Sequence, residues 1–185
     1  RTLEDVTIEH PRDGLALQMG QLIDYFTGDA RMLRDRIARA LPAWDAGMPD
    51  YHMILGMHAF GLEESGDYVG AEFGGRRAVE LQPRNAWAQH AVAHVLEMQG
   101  RQAEGIRWMR ADPDAWAVDN SFAVHNWWHL ALYHLELGEI DEVLKLHDGP
   151  IYGARSQVAL DMIDASALLW RLHLRGADVG DRWQA

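Results

Sequence analysis

Cysteine is absent from all 185 residues. That excludes disulfides, thiolate zinc sites and thiol nucleophiles together. A reducing, cytoplasmic setting is the expectation that accompanies this lack. Positive charge is scarce: 17 Lys and Arg against 28 Asp and Glu leave a formal net charge of −11. This balance repels phosphates, so neither nucleic acid nor an anionic membrane surface is expected as a partner. No segment approaches the roughly 18 uninterrupted apolar residues of a membrane span. The opening "RTLEDVTIEHPRDG" has no basic stretch leading into an apolar one, and no signal peptide is expected. The abrupt start at Arg1 and stop at "GDRWQA" read as a piece of a longer chain.

Alternating strand patterns are missing as well, and so are several catalytic signatures. "FGGRR" sits inside a helical pattern and lacks the lysine and spacing of a phosphate-binding loop. No G-x-S-x-G elbow occurs, and Ser65, Ser121, Ser156 and Ser166 have no evident base nearby in sequence. No motif calls for a cofactor.

What is present is a period. Apolar helical stretches end in glycine at Gly28, Gly66, Gly100, Gly138 and Gly176, at steps of 38, 34, 38 and 38 residues. Each glycine suits a helix C-terminal cap that needs positive φ. After the first four comes a second, shorter helical pattern: "ARMLRDRIARAL", "YVGAEFGGRRAVEL", "AEGIRWM" and "IDEVLKLH". The repeating element is helix, tight turn, helix, and the chain is long enough for one domain with a sizeable core. An all-α single repeat domain over 1–185 is expected, with units ending near 48, 84, 119 and 155 and a last, incomplete one.

One unit, from Leu55, reads L-x-x-H-A-x-x-L, then "GDY", Ala71, Ala78 and "LQP" ending at Pro83. It resembles the tetratricopeptide repeat. The unit from Trp127 gives W-x-x-L-A-x-x-H before Gly138. Ala59, Ala93 and Ala131 fall where the two helices of a hairpin cross and a larger side chain would part them. Gly75 departs from the pattern where an aromatic is expected, and "RADPDAWAVDNSF" lengthens a loop. More specifically, "MILGMHAFGLEESGDY", "AWAQHAVAHVLEMQGR" and "VHNWWHLALYHLELGEIDEVL" resemble the tetratricopeptide repeat protein 38 family, from about Leu17 to Trp183. The resemblance implies a tetratricopeptide-repeat-like α-solenoid of about four and a half units, and it carries no activity with it. Exposed end faces of such an array invite homo-oligomers.

Seven of the ten histidines lie on the first helices of successive units: His52, His58, His90, His94, His125, His129 and His134. First helices line the concave surface in this repeat class. At 100° per residue, Trp87, His90, His94 and Glu97 fall within about 80° of one another, and His125, His129, Leu132 and Glu136 within about 60°. Neighbouring first helices pack roughly 8–10 Å apart, close enough for both stripes to reach one ligand. His134 points the other way, His58 takes a packing position normally held by leucine, and His52 reads as solvated. His10, His147 and His173 fit no pattern.

The two stripes admit three readings. The rings are packed and hydrogen-bonded, or they recognise a peptide or small polar ligand, or they bind a metal or move protons. The His-x-x-x-His spacing suits a divalent metal such as zinc with a further ligand from elsewhere, yet it lacks the adjacent glutamate of a metalloprotease helix. Glu97 fits a ligand, an orienting partner or a surface charge. Trp127 reads as core, whereas Trp87 and Trp128 face the hollow, where they would stack on a ligand or pack. Glu63, Glu64, Glu97 and Glu136 make that face acidic and favour cationic or neutral partners.

The leading expectation is a non-catalytic module binding a peptide, a partner subunit or a small ligand through Trp87, His90, His94, Glu97, His125, Trp128 and His129. The alternative is a metal-dependent or acid–base enzyme using His90, His94, His125 and His129.

Overall fold

The computed structural model describes residues 2–184. Among these, 74% are helical and no strand occurs. The described residues form eleven α-helices: α1 (Thr2–Glu9), α2 (Gly14–Phe26), α3 (Ala30–Ala40), α4 (Tyr51–Glu63), α5 (Tyr68–Leu81), α6 (Ala86–Met98), α7 (Gln102–Arg110), α8 (Pro113–Ala117), α9 (Ala123–Glu136), α10 (Ile140–Leu146) and α11 (Ala159–Leu174). No helix among the described residues is long and apolar enough to cross a membrane.

The turns follow from the glycines. Gly28, Gly66, Gly100, Gly138 and Gly176 all have φ between 68° and 82°, the left-handed region that only glycine enters without steric cost. Asp29 and Asp67 then cap α3 and α5 by accepting from Met32 N and Gly70 N, filling one of the open N–H groups at each helix start. All five glycine turns expected from the sequence are formed.

The chain falls into two compact units, Arg1–Val95 and Leu96–Ala185. In the first, α2 packs on α3, α3 on α4 and α4 on α5, with α1 against α2 and α3. The opening segment is therefore a helix that the apolar pattern did not reveal. Polar bonds hold it: Arg36, itself 5% exposed, forks onto Asp24 at 2.8 and 2.9 Å and reaches Glu4 of α1 at 2.7 Å. Leu17, Ile37, Ala40, Ile54 and Met57 form one part of the core, and Leu33, Ala59, Phe60 and Ala91 another. Gly75 has a packing reason. A Cβ there would stand 2.6 Å from Val92 Cγ2 of α6, so the aromatic of the repeat pattern has no room.

In the second unit α9 is central, packed by α7, α8, α10 and α11. Gly105 of α7 lies flat on the Tyr133 ring, where a Cβ would come within 2.3 Å. The lengthened loop after α7 contains the short helix α8, pinned by Trp116, which is buried and donates from Nε1 to Met109 O at 3.2 Å. After α10 the backbone widens into a π-turn over His147–Ile151 with Pro150 inside it.

Candidate functional site

In Arg1–Val95 the expected residues Trp87, His90 and His94 lie on α6. One turn apart, the two imidazoles meet edge to face with centroids 4.1 Å apart. Phe60 of α4 supports all three rings, at 5.1 Å from Trp87, 5.5 Å from His90 and 5.9 Å from His94. The end of α4 then brings in acid. Glu63, 6% exposed, accepts from His94 Nδ1 at 3.1 Å. Donor atoms of Glu63, Glu64 and His94 lie within 4.8 Å of one another. Burial, and then the charge of Glu63, raises the Glu64 carboxyl above its ordinary range.

His52 is half-buried and held by Asn85, which spans its Nδ1 at 3.1 Å and its carbonyl at 2.9 Å. The solvated position expected for it is corrected by this contact. His58 is half-buried rather than enclosed, and desolvation lowers its pKa.

In Leu96–Ala185 the arrangement is tighter. His125 and His129, one turn apart on α9, stand perpendicular with their Nε2 atoms 3.3 Å apart. Each Nδ1 faces a carboxylate: His125 donates to Asp164 Oδ2 at 2.9 Å, His129 to Glu97 Oε2 at 3.0 Å. His129 and Asp164 are buried, at 3% and 4% exposure. Trp128 stacks on His125 at 15° and meets His129 edge-on at 5.1 Å. The Arg171 guanidinium lies 5.2 Å from the centre of the Trp128 ring. Burial raises the Tyr133 phenol far above its ordinary pKa, with the charge of Glu97 adding to the effect.

Carboxylates only accept, so both imidazoles carry their proton on Nδ1 and turn the Nε2 lone pairs towards each other. Two lone pairs at that distance repel unless a cation, either a proton or a metal ion, lies between them. A tetrahedral ion bound at about 2.0–2.1 Å by two imidazoles sets its nitrogens roughly 3.3 Å apart. The observed separation is the same.

Glu97 is hydrogen-bonded to the His129 imidazole and is partly exposed. Glu136 pairs with Arg175, and Glu63 and Glu97 are each hydrogen-bonded to an imidazole. His134 points away, as expected, donating to Glu139 on the approach to α10. Trp127 packs on Trp116 at 4.7 Å. Asp164 is the His125 partner that the histidine spacing does not disclose, and a signal existed. Asp161, Asp164, Ala165, Leu168, Leu169 and Leu172 form the buried stripe of α11, so Asp164 is a carboxylate at a core position. No protein-family model matches the chain.

Proposed function

We propose that this chain is a tetratricopeptide-repeat-like module that binds a divalent transition metal, with zinc the best match, through Nε2 of His125 and His129. The observation that carries it is the 3.3 Å Nε2 separation with each opposite ring nitrogen fixed by a carboxylate. Metal-bound imidazoles nearly always donate their second N–H in this way, and the arrangement fixes tautomer and ring orientation. The pair supplies two of the four positions of a tetrahedral ion, where the metal would act as a Lewis acid or lower the pKa of bound water. The His94–Glu63 contact in the other unit repeats the device. The repeat reading is supported by five glycine turns at positive φ and by contacts of α2 with α4 and of α9 with α11, as successive first helices of a solenoid require.

The test is metal content followed by melting. After dialysis against chelator, zinc at a hundredfold excess over Kd adds about 2.7 kcal/mol, which raises Tm by roughly 5–10 °C for a chain of this size. A melting curve indifferent to zinc, with no metal in the purified protein, leaves the shared proton as the explanation of the pair and ends the proposal.

A further inference from the structure

The unit Arg1–Val95 holds a cavity of its own, independent of the metal reading. It lies between α2, α4 and the start of α6 and has a volume of about 230 Å³. Gln21, Leu33 and Met57 line it as buried side chains, whereas Met19, Leu22 and Tyr25 are exposed and mark its open side. None of the described residues lining it carries a charge. A neutral occupant fits such a lining, because a charged one would lose water and gain no counter-charge.

Two kinds of surface face this space. Met19, Met53 and Met57 supply thioethers, and Tyr25 and Trp87 supply rings. Phe60 packs on both rings, 5.8 Å from Tyr25 and 5.1 Å from Trp87. Thioether sulfur makes favourable contacts with aromatic rings, and rings pair with one another edge-on or offset. A flat aromatic body satisfies both. Size sets its extent: a dry apolar cavity of about 150 Å³ holds one benzene. In proportion, 230 Å³ takes about nine heavy atoms, a fused pair of rings.

Gln21 sets the polarity. Its Nε2 donates to Leu33 O at 3.3 Å and to Met57 O at 2.6 Å. Both partners are carbonyls, which only accept, so the amide is fixed in this orientation and both its hydrogens are used. Its Oε1 accepts from no described residue. Asn85, the other buried amide in the lining, is already committed: Nδ2 donates to His52 O and Oδ1 accepts from Ala88 N. Gln21 thus offers the cavity an acceptor in a set orientation, and a single placed polar group of this kind orients a ligand in an apolar pocket.

We infer that this cavity binds a neutral bicyclic aromatic of the indole class, its rings against the methionines and Trp87 and its N–H donating to Gln21 Oε1. Indole titrated into the 185-residue chain by calorimetry binds one to one and saturates. Indene has the same ring outline with CH₂ in place of N–H, and it binds about tenfold more weakly for want of the hydrogen bond. Leu22→Trp fills the open side and abolishes indole binding while circular dichroism stays that of the parent. Met19→Trp, on the same exposed side, does the same and serves if Leu22→Trp fails to fold. No saturable binding of indole overturns the site. Equal affinity for indene overturns the role of Gln21 and with it the donor-bearing class. Parent affinity in a folded tryptophan variant places the indole outside this cavity and overturns the assignment. A Gly-Trp-Gly peptide that binds tenfold tighter than indole overturns the small-molecule reading in favour of a peptide side chain.

Discussion

Replacing Gly61 with alanine tests the packing that positions α4, and with it Phe60 and Glu63. The added Cβ would lie 2.6 Å from Arg34 Cα, 2.8 Å from Arg34 N and 2.8 Å from Leu33 O. Carbon atoms rest at roughly 3.5–4.0 Å, so α3 and α4 must separate by about 1 Å. The obstructing atoms are backbone and have no rotamer to escape into. A gap of 0.5–1 Å forfeits about a quarter to a half of the dispersion attraction across it. Here that gap opens beside Leu33, Ile37 and Ala40 on one side and Ile54 and Phe60 on the other, all buried. Overpacking costs about 1–3 kcal/mol, and a contact with backbone belongs at the upper end. The alanine recovers up to about 1 kcal/mol of helix propensity, leaving a net loss of about 2 kcal/mol. At roughly 2–4 °C per kcal/mol, Tm falls by about 4–8 °C. Gly74→Ala is the control: its Cβ would meet only Ala59 Cβ at 3.7 Å and Leu55 O at 3.8 Å, and it should stabilise by up to about 1 kcal/mol. Urea and thermal denaturation followed by circular dichroism read both. Equal stability of Gly61→Ala and the parent, or greater damage from Gly74→Ala, refutes this reasoning.

Two further outcomes follow from the second unit. Asp164→Asn removes the charge behind His125 while keeping an acceptor in place, and zinc affinity should drop by about 10- to 100-fold; a chelator-competition titration measures this, and unchanged affinity would remove Asp164 from the site. The Arg182 guanidinium, with His147 assisting, holds the Asp148 carboxyl at about 2. Because the folded pKa is depressed, its stabilising share is present above the ordinary carboxylate range and is lost as pH falls from about 4 through 2. That share is small, since the side chain is half exposed. Arg182→Gln should return Asp148 towards its ordinary pKa, as read by a carbonyl NMR titration, and an unmoved titration would show that Arg182 is not the cause.

The helices and turns were legible because their causes are local. A glycine at each helix end announces positive φ, and apolar spacing announces a buried stripe; α2, α4, α6, α9 and α11 all follow from this. The helix α1 was not legible, because it is held by Arg36 bonding to Glu4, a contact across 32 positions that leaves no apolar period behind. Of the site, the histidine pairs could be read from their spacing on one helix. Their carboxylate partners could not. His125 with Asp164 and His129 with Glu97 are joined across different helices, and only packing decides which acid meets which imidazole. Asp164 stood out only as a carboxylate in a stripe otherwise dominated by leucine and alanine. Glu136, which shares the sequence stripe of His129, is drawn off by Arg175, a competition invisible to helical arithmetic.

The most direct test observes the ring nitrogens themselves. Long-range ¹⁵N–¹H NMR of the metal-free protein should show His125 and His129 protonated on Nδ1, and stoichiometric zinc should shift the Nε2 resonances of both while leaving Nδ1 protonated. Zinc that binds without moving either Nε2 signal, or rings whose Nδ1 carries no proton before zinc is added, would contradict the account.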